Sequence, residues 1–466
     1  MSNSKAGILH ATTNSVPTLP FMVQAAASGQ SLADFVETKR DWLDTQLLKH
    51  GALLLRGFTC GGEGQNAAEF EHTVQALWGE LLTYQDRATP RHQVSGKVYT
   101  STEYPPAHSI FLHNESSFAD SWPTRICFFC ATPAKQDGAT PIADVRRVWQ
   151  RIDPAIRQRF ETKQVMYVRN FGQGFGLPWE TVFNTADKAE LEAYCQQANI
   201  AVEWLDNGQR LRTRQVRPAV LRHPQTDEWV WFNHAAVLHV STLRRSLREA
   251  FLTEFALEDL PNNTYYGDGS EIEPDVLDHI RAAYEAEKTV FTWQAGDLLV
   301  LDNLLVAHGR ESYIGPRQIW VGMAKSMRWA DISSVNQVIP PANFPPQSEQ
   351  IKVHAGSAAT PERHSTAQPT PLEAVLAAIW ATMLNVEEVD IHDNFFELGG
   401  QSLDAIDIIE SVQSLFQVPL SLRALTLTPT VSTLAQSLIK TPAEKQRIET
   451  IAQSTLEMLE GELEEA

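Results

Sequence analysis

The sequence predicts a mixed fold, in which a strand-rich sandwich or barrel with flanking helices precedes a small all-helical bundle. The first part contains many short apolar runs, among them SIFLHNE, DLLVLDN, EWVWFNHAAVLHV, TVFTWQ and QIWVGMAK, and turn signals such as QDGATP and YIGPR separate several of them. Short strands joined by turns of this kind are typical of sandwiches and barrels. A stretch rich in proline, serine, alanine and threonine follows, and after it apolar residues recur with helical spacing.

Other segments of the first part have helical periodicity. LADFVETKRDWLDTQLLKHG has the pattern of a helix that ends at Gly51, and GALLLRGF directly after it reads as a buried strand. RRVWQRIDPAIRQRF predicts further helix. We expect these helices to flank the strands.

The C-terminal part predicts three short helices, which together form a small bundle. SLDAIDIIESVQSLF and TVSTLAQSLI are the second and third of them. The first has a single apolar face that recurs at i, i+3, i+4 and i+7, formed by Leu372, Val375, Leu376, Ile379, Trp380, Met383 and Leu384.

These patterns divide the chain into a strand-rich domain at 1–331, a flexible linker at 332–370, a helical domain at 371–440 and an acidic helical tail at 441–466. The tail has an apolar residue at nearly every helical turn, and we expect it to be a docking element for a partner protein. The alternatives are a solvated acidic tail and a helix packed on the bundle.

The net charge of −19 is concentrated near the C-terminus. Residues 371–440 contain nine acidic and two basic side chains, and residues 441–466 contain seven acidic and two basic ones. Such a distribution argues against nucleic acid and anionic membrane surfaces, and it favours protein partners with basic docking surfaces. No run of apolar residues is long enough for a membrane span, and the N-terminus lacks the pattern of a secretory signal.

The four cysteines do not form a disulfide framework, which is what we expect of a protein in the reducing cytoplasm. Cys127 and Cys130 form a CxxC within RICFFCA, which reads as a buried strand. At that spacing the two side chains point to opposite faces of the strand. We therefore interpret them as core thiols rather than a metal or redox pair.

His113 and Glu115 are two residues apart in SIFLHNESSF, so on a strand both side chains would project from one face and reach one metal ion. His308 follows the apolar run DLLVLDNLLVA. Two imidazoles and one carboxylate form a facial triad, which leaves three positions open on an octahedral iron(II). These three residues are the candidate metal ligands and the centre of the candidate catalytic site.

Three segments, VYTSTEYPPAHSIFLHNESSF, WPTRICFFCATPAKQDGATPIAD and DNLLVAHGRESYIGPRQIWVGMA, resemble the TauD/TfdA-like branch of the iron(II)/2-oxoglutarate oxygenases. The likeness is greatest to the SyrP-like members of nonribosomal peptide biosynthesis. The resemblance implies a double-stranded β-helix, or jelly-roll, core, with iron(II), 2-oxoglutarate and O₂ as cofactor and cosubstrates. It also implies His113, Glu115 and His308 as the iron ligands.

The resemblance further assigns the 2-oxoglutarate-binding residues to Arg317 and Thr140. A guanidinium recognises a carboxylate with two parallel hydrogen bonds, which an ammonium cannot do. Arg310 is the alternative cation. Halogenating relatives have a small residue in place of Glu115, so the carboxylate here favours hydroxylation over halogenation. Desaturation, epoxidation and cyclisation stay open.

DNFFELGGQSL resembles the phosphopantetheine attachment motif of peptidyl carrier proteins, with Ser402 as the attachment residue. The two glycines permit a tight turn that displays the serine at the start of the second helix. The resemblance implies a 4′-phosphopantetheine cofactor, a phosphopantetheinyl transferase, and assembly-line partners such as adenylation or condensation enzymes, because the chain has no motif of its own for loading.

Together these assignments predict a 2-oxoglutarate-dependent hydroxylase, a dioxygenase that acts on an aminoacyl or acyl group tethered to a carrier in nonribosomal peptide-type biosynthesis. One alternative is oxidation of a free amino acid, with the carrier serving a later step. Another is a carrier and docking scaffold whose oxygenase is inactive.

We predict that Ser402 accepts one phosphopantetheine arm. Incubation of the chain with coenzyme A and a broad-specificity transferase should add one arm to the wild type and none to Ser402→Ala, as measured by intact-protein mass spectrometry. If the alanine variant is still modified, the attachment residue lies elsewhere.

Overall fold

The computed structural model describes residues 19–60, 66–83, 91–102, 104–172, 177–332, 369–384, 386–396, 398, 400, 402–420, 424–425 and 428–464. The described residues fall into two compact units. The first comprises the described parts of 1–170, 177–242 and 262–343, and the second those of 171–176, 243–261 and 344–466.

The first unit is built mainly from strands, namely β1 (Phe21–Gln24), β2 (Ala52–Arg56), β3 (Gln93–Ser95), β4 (Val98–Thr100), β5 (Ile110–His113), β6 (Ser121–Thr132), β7 (Gln136–Asp137), β8 (Ile142–Asp144), β9 (Val165–Phe171, whose last residue belongs to the second unit), β10 (Ile200–Leu205), β11 (Arg210–Arg217), β12 (Val220–Arg222), β13 (Trp229–Trp231), β14 (Asn262–Tyr266), β15 (Lys288–Thr289), β16 (Leu298–Asp302), β17 (Val306–Arg310), β18 (Tyr313–Ile314) and β19 (Gln318–Arg328).

Helices lie between these strands, namely α1 (Leu32–His50), α2 (Ala67–Trp78), α3 (Val145–Arg151), α4 (Pro154–Lys163), α5 (Trp179–Phe183), α6 (Lys188–Gln197), α7 (Ala235–Leu238) and α9 (Pro274–Glu287), together with 3₁₀ turns at Asp206–Gly208, Val240–Thr242 and Trp329–Asp331. The second unit contains α8 (Arg245–Glu254), a 3₁₀ turn at Leu257–Asp259, α10 (Pro371–Leu384), α11 (Ser402–Phe416), α12 (Val431–Leu438) and α13 (Pro442–Glu464).

Two sheets form the core of the first unit. The larger has the order β1-β2-β16-β6-β19-β4-β3, and the smaller has the order β15-β8-β17-β5. Buried side chains of both sheets, such as Phe128 and Leu299 of the larger and Ile142 and Val306 of the smaller, belong to one apolar core. This arrangement confirms the strand-rich sandwich predicted from the sequence and the double-stranded β-helix that the family resemblance implied.

The other face of the larger sheet is covered by α1 and α2. Leu53 and Phe129 of the sheet share a second core with Leu47 of α1 and Val74 of α2. A central strand therefore has apolar residues on both faces, which explains why its sequence is a continuous apolar run rather than an alternating one.

The CxxC of β6 illustrates this two-sided burial. Cys130 lies in the core between the two sheets, and Cys127 lies in the core beneath α1 and α2. Both thiols are fully buried, and all four cysteines of the chain are free. The prediction that the pair faces opposite sides as core thiols is confirmed.

Helix α1 begins and ends as its sequence predicts. The hydroxyl of Ser31 accepts a hydrogen bond from the backbone N–H of Asp34 at 3.2 Å, which caps the first turn. The chain leaves the helix at Gly51 with a φ of 77°. A Cβ at this position would lie 2.6 Å from Cγ2 of Val306, so both the backbone angle and the packing require glycine.

Two predicted strands are shorter than their apolar runs. In EWVWFNHAAVLHV only Trp229–Trp231 is strand, and α7 begins at Ala235. The side chain of Asn233 accepts a hydrogen bond from the backbone N–H of Ala235 at 2.9 Å, which turns the chain into the helix. In TVFTWQ the strand β15 ends at Thr289.

The helices predicted for the bundle are present in the second unit as α10, α11 and α12. Trp380 of α10 and Phe395 of the following loop are fully buried and pack edge to face, with ring centroids 5.3 Å apart. Apart from residues 332, 369 and 370, the predicted linker lies outside the described residues.

The acidic tail forms helix α13, whose first half packs against α10. Ile448 and Ala452 are fully buried, and Arg447 donates a hydrogen bond to the carbonyl of Phe416 at 2.7 Å. The first half of the tail is therefore a helix packed on the bundle, which was one of the alternatives to a docking element. A docking role for the part beyond Ala452 stays a prediction. Over the described parts of the chain, the helices are too short or too polar to cross a bilayer.

A buried ion pair joins the neighbouring strands β16 and β6 next to the turn between β16 and β17. Asp302 is fully buried, and its Oδ2 lies 2.5 Å from Nη1 of Arg125 and 3.3 Å from Nε2 of His223. Burial opposes the charged form of Asp302, but the attraction of Arg125, with the hydrogen bond from His223, outweighs it and holds the pKa of this carboxyl below its usual range. The folded state is thus stabilised by the ionised carboxylate.

We predict that Asp302→Ala lowers the free energy of unfolding by about 3–5 kcal/mol at pH 7, because it leaves the buried Arg125 without its counter-charge. Since the folded pKa of Asp302 is lowered, its stabilising effect is present above the unfolded pKa of about 4 and is lost as the pH falls through the folded pKa. The difference between wild type and variant in denaturant unfolding should therefore shrink towards pH 3.

A matched control is Asp120→Ala, which removes an ion pair with Arg328, whose side chain is half exposed. We expect a loss below about 1 kcal/mol for that variant. Equal losses for the two variants would contradict the assigned role of Asp302.

Candidate metal centre and attachment serine

His113 and His308 lie directly opposite each other on neighbouring strands. The antiparallel pairing of β5 with β17 places the two residues in register, and their ring centroids are 4.6 Å apart. His308 is buried, and His113 is partly exposed. Two histidines far apart in sequence therefore converge because the smaller sheet pairs their strands.

Glu115 reaches the same place by a different route from the one predicted. Strand β5 ends at His113, and Glu115 lies in the turn that follows rather than on the strand. The side chain of Asn303 fixes this turn, because its Oδ1 accepts from the backbone N–H of Glu115 at 2.8 Å and its Nδ2 donates to the Glu115 carbonyl at 2.9 Å. His113 and Glu115 therefore do converge, as predicted, but the turn held by Asn303 brings them together and not the alternation of side chains along a strand.

The donor atoms of His113, Glu115 and His308 all lie within 4.8 Å of one another, and this group is the one cluster of such donors found among the described residues. Nδ1 of His113 lies 2.8 Å from the carbonyl of Phe111, to which it donates, so Nε2 keeps its lone pair. Two imidazoles and a carboxylate are a donor set suited to iron(II) with open coordination positions.

The charge states of these side chains also suit a metal. Burial, and next the neighbouring His308, lower the pKa of His113 to about 4, so this imidazole is neutral at pH 7. Burial opposes ionisation of Glu115, but the charge of Arg91 and the adjacent His308 outweigh it and hold the pKa of the carboxyl well below its usual range. Neutral imidazole and ionised carboxylate are the forms that bind metals.

Sequence reasoning missed two residues of this site. Nη2 of Arg91 lies 2.8 Å from Oε2 of Glu115, and both side chains are buried. His234 is buried with its ring centroid 5.6 Å from that of His113, and its Nδ1 is hydrogen-bonded to the Ser117 hydroxyl at 2.6 Å. Neither residue belongs to a spacing pattern, and only the fold brings them to the centre.

Arg317 and Thr140 lie beside the histidines. One pocket is lined by His113, His308, Thr140 and Arg317 together. Nε of Arg317 donates to the carbonyl of Gly138 at 2.8 Å, and its Nη2 lies 3.4 Å from the Thr140 hydroxyl. Burial, and next the charge of Arg310, lower the pKa of Arg317 to about 10, so the guanidinium is charged at pH 7 in a largely desolvated position.

Arg310 also lines this pocket, but backbone carbonyls occupy its guanidinium. Its terminal nitrogens donate to the carbonyls of Tyr104 at 2.6 Å, Pro105 at 2.7 Å and His108 at 2.5 Å. These bonds fix a loop, and they leave Arg317 as the better candidate for binding an incoming carboxylate.

Ser402 is the first residue of helix α11, as predicted, but its side chain, Gly399 and Gln401 lie outside the described residues. The backbone N–H of Gly400 donates to the carbonyl of Phe395 at 2.9 Å. A Cβ on Gly400 would lie 2.6 Å from that carbonyl oxygen. The turn before the serine therefore requires the second glycine of the motif.

A family model described as taurine catabolism dioxygenase TauD, TfdA family matches residues 15–323, which is most of the chain. The chain belongs to this family. A second model, described as phosphopantetheine attachment site, matches residues 374–438. The protein is thus a dioxygenase of the TauD/TfdA family fused to a carrier domain.

Individual relatives match the two parts separately. The dapdiamide synthesis protein DdaC of Enterobacter agglomerans is 41% identical over 302 residues, which cover 65% of this chain and 90% of the relative. Tyrocidine synthase 3 of Brevibacillus parabrevis is 46% identical over 73 residues, 16% of this chain and 1% of the synthase. The crystal structure of PvcB from Pseudomonas aeruginosa covers 69% of this chain and 98% of its own at 15% identity and a TM-score of 0.41.

Membership of the family identifies iron(II), 2-oxoglutarate and O₂ as the cofactor and cosubstrates, and the second model identifies phosphopantetheine. The donor set, the neutral state of His113 and the charged Arg317 fit these groups.

We predict that Arg317→Leu weakens binding of 2-oxoglutarate by about one to two orders of magnitude, because a charge-assisted contact of this kind contributes about 1.5–3 kcal/mol. Anaerobic calorimetric titration of the iron-loaded protein with 2-oxoglutarate measures the affinity directly. Arg317→Lys should recover part of the loss, since it restores the charge but not the planar fork. Unchanged affinity in Arg317→Leu would transfer the role to Arg310.

Proposed function

We propose that this dioxygenase hydroxylates an aminoacyl or acyl group that is held as a thioester on the phosphopantetheine arm of a carrier, within nonribosomal peptide-type biosynthesis. In this proposal His113, Glu115 and His308 bind the iron, Arg317 and Thr140 bind 2-oxoglutarate, and Ser402 bears the arm. A phosphopantetheinyl transferase and an adenylation or other loading enzyme are the required partners.

The observation that carries the proposal is the presence of both functions in one chain. Residues 15–323 match the dioxygenase family and residues 374–438 match the carrier family. A covalent tether raises the effective concentration of a bound group to the millimolar range when the linker spans the sites, roughly independently of the affinity for the free substrate. Fusion to a carrier is most useful for an enzyme whose substrate travels on that carrier.

The names of the relatives support a biosynthetic role. DdaC is named for dapdiamide synthesis, and the carrier resembles part of tyrocidine synthase 3, which is named for the synthesis of tyrocidine. The four buried free thiols fit the reducing cytoplasm, where such enzymes work.

The chain's own residues have distinct tasks in the reaction. When bound, iron with 2-oxoglutarate would supply the oxidising chemistry, in which one atom of O₂ is taken up as 2-oxoglutarate loses CO₂ to give succinate and the other enters the substrate C–H bond as a hydroxyl. Arg317 orients the distal carboxylate, and Thr140, whose hydroxyl also accepts a hydrogen bond from Nε1 of Trp293 at 3.0 Å, stands beside it. Arg91 holds Oε2 of Glu115, which keeps the carboxylate at the metal position.

That carboxylate favours hydroxylation over halogenation. Glu115 points its carboxylate at the two histidines, with Oε2 3.7 Å from Nε2 of His308, so it occupies the position that a halide would need. Desaturation, epoxidation and cyclisation use the same ligand set and remain alternatives for the fate of the substrate.

A second candidate function is oxidation of a free amino acid before loading, with the carrier used only afterwards. A scaffold with an inactive oxygenase is a third, but the convergence of the three donor side chains and Arg317 argues against it. The two candidate substrates are distinguished by whether the added oxygen atom is found on the group tethered to Ser402 or on the free amino acid.

We predict that the iron-loaded holo chain, with an aminoacyl group installed on Ser402 from its coenzyme A thioester, gains the mass of one oxygen atom on the tethered group when 2-oxoglutarate and O₂ are supplied. Intact-protein mass spectrometry with release of the phosphopantetheine arm locates the gain. A set of aminoacyl groups of different size and charge is offered, because the sequence does not name the substrate.

Two controls separate the alternatives. His308→Ala should load normally and gain no oxygen, because it lacks a metal ligand. The same amino acids supplied free to Ser402→Ala test the second candidate. Oxidation of the free amino acid at the rate seen for the tethered one would refute the tethered-substrate proposal, and absence of succinate under all conditions would support the scaffold.

A further inference from the structure

Residues 243–261 belong to the same compact unit as the carrier helices. By sequence this segment lies within the region 15–323 matched by the dioxygenase family, yet its described residues group with α10–α13 and not with the strands. It contains α8 and the short 3₁₀ turn after it. Leu247 and Phe251 of α8 are buried, so the helix packs through its apolar side chains and is not a solvent-exposed insertion.

Within this unit, one arginine pairs with two acidic residues of the carrier. Arg244, which immediately precedes α8, donates a hydrogen bond from Nη2 to Oδ1 of Asp407. Its Nη1 lies 3.6 Å from Oε2 of Glu410. Both carboxylates belong to α11, whose first residue is Ser402. The contact is therefore within the first turns of the helix that displays the attachment serine.

The acidic residues lie on the side of α11 away from its bundle-facing stripe. The buried apolar residues of α11 are Ala405, Ile406, Ile408, Ile409, Val412 and Phe416, and they cover much of the helix surface. At about 100° per residue, Asp407 is roughly 200° around the helix from Ala405, and both Asp407 and Glu410 are partly exposed. The two acidic residues can therefore be recognised without displacing an apolar residue of the carrier core.

The N-terminal end of the segment complements the charge of the carrier, although residues 243–261 as a whole contain three arginines and four acidic residues. The stretch 243–248 contains three arginines and no acidic residue, whereas residues 371–440 carry a net charge of −7. The side chain of Arg244 is about one-third exposed at 34%, and that of Asp407 is 19% exposed. Pairs with this exposure are weak, so they favour orientation and rapid encounter over permanent binding. A carrier that must also visit other enzymes needs a weak contact, which orients the carrier and then releases it.

We propose that segment 243–261 is the element by which the dioxygenase recognises its own carrier domain, with Arg244 binding the acidic side of α11 beside Ser402. The proposal rests on the proposed function and adds to it the surface that receives the carrier. Its occupant is the carrier domain of this chain, through Asp407 and Glu410.

The first test measures the contact alone, in the full-length chain and without any substrate. Hydrogen–deuterium exchange of residues 404–413 and 246–254 is compared in Arg244→Glu, Asp407→Arg and the double variant with both changes. Each single variant should exchange faster in both segments, because it sets like charges against each other, and the charge-swapped double variant should recover slow exchange. Arg244 makes no side-chain cap to α8, so its replacement does not remove a helix cap.

Matched controls carry the same changes of charge at neighbouring positions. Arg245→Glu alters the adjacent arginine, which pairs with Glu249 of its own helix at 2.7 Å. Glu387→Arg alters an exposed carrier residue outside α11. Neither control should change exchange in the partner segment. If the swap does not recover protection, or if the controls act like Arg244→Glu, the proposal is overturned.

The second test measures oxidation of the group tethered on Ser402, using only protein that mass spectrometry shows to be fully loaded. Each single variant should oxidise its tethered group about fivefold more slowly, and the swap should recover most of the rate. Binding of 2-oxoglutarate should be unchanged in all of them. Single variants that oxidise the tethered group as fast as the wild type would overturn the proposal.

Failure of the proposed function gives a different pattern. If the wild type does not oxidise any tethered group, the exchange measurements still decide whether segment 243–261 binds the carrier. If the charge-swapped variant recovers slow exchange but no tethered group is oxidised, the tethered-substrate proposal is refuted. The proposal that segment 243–261 binds the carrier is then retained.

Discussion

The side chain of Asn303 makes hydrogen bonds both to the turn that carries Glu115 and to the start of β6, and the geometry of the candidate metal centre depends on them. It fixes the turn that carries Glu115, and its Nδ2 also donates to the carbonyl of Pro123 at 2.8 Å, at the start of β6. The carbonyl of Asn303 accepts from Nδ2 of Asn114 at 2.6 Å. All these groups are buried, so each bond that is lost leaves a polar group unsatisfied at a cost of about 1–3 kcal/mol.

Asn303 occupies this position because of the way the jelly roll connects its two sheets. Residues 303–305 join β16 of the larger sheet to β17 of the smaller one, and β17 carries His308. Asp302, on the other side of the turn, is held by Arg125 and His223. The connection at residues 303–305 therefore positions His308 directly, through β17, and Glu115 indirectly, through Asn303. The geometry of the candidate metal centre thus depends on how the two sheets pack.

Buried cations complete the site, and each has a separate function. Arg91 compensates the charge of Glu115, Arg317 provides a largely buried positive charge beside the histidines, and Arg310 fixes a loop through backbone carbonyls. The three arginines lie in one pocket, yet their hydrogen-bond partners differ. This difference supports the proposed binding of the cosubstrate carboxylate by Arg317 rather than by Arg310, whose guanidinium donates to backbone carbonyls.

Local patterns in the sequence were enough to predict the helices α1, α10 and α11, the opposite-facing thiols of β6, the residue types of the candidate metal triad, and the glycine turn before Ser402. Periodicity, capping and motif spacing involve residues close together in the chain, and they can be read without the fold. Resemblance to a family then added Arg317 and Thr140. Three features became apparent only in the folded protein: Glu115 approaches from a turn, Arg91 and His234 lie at the centre, and the segment at Arg244 groups with the carrier. Each of these depends on contacts between residues far apart in sequence, whose partners are selected by sheet pairing and core packing and leave no periodic signal in the chain.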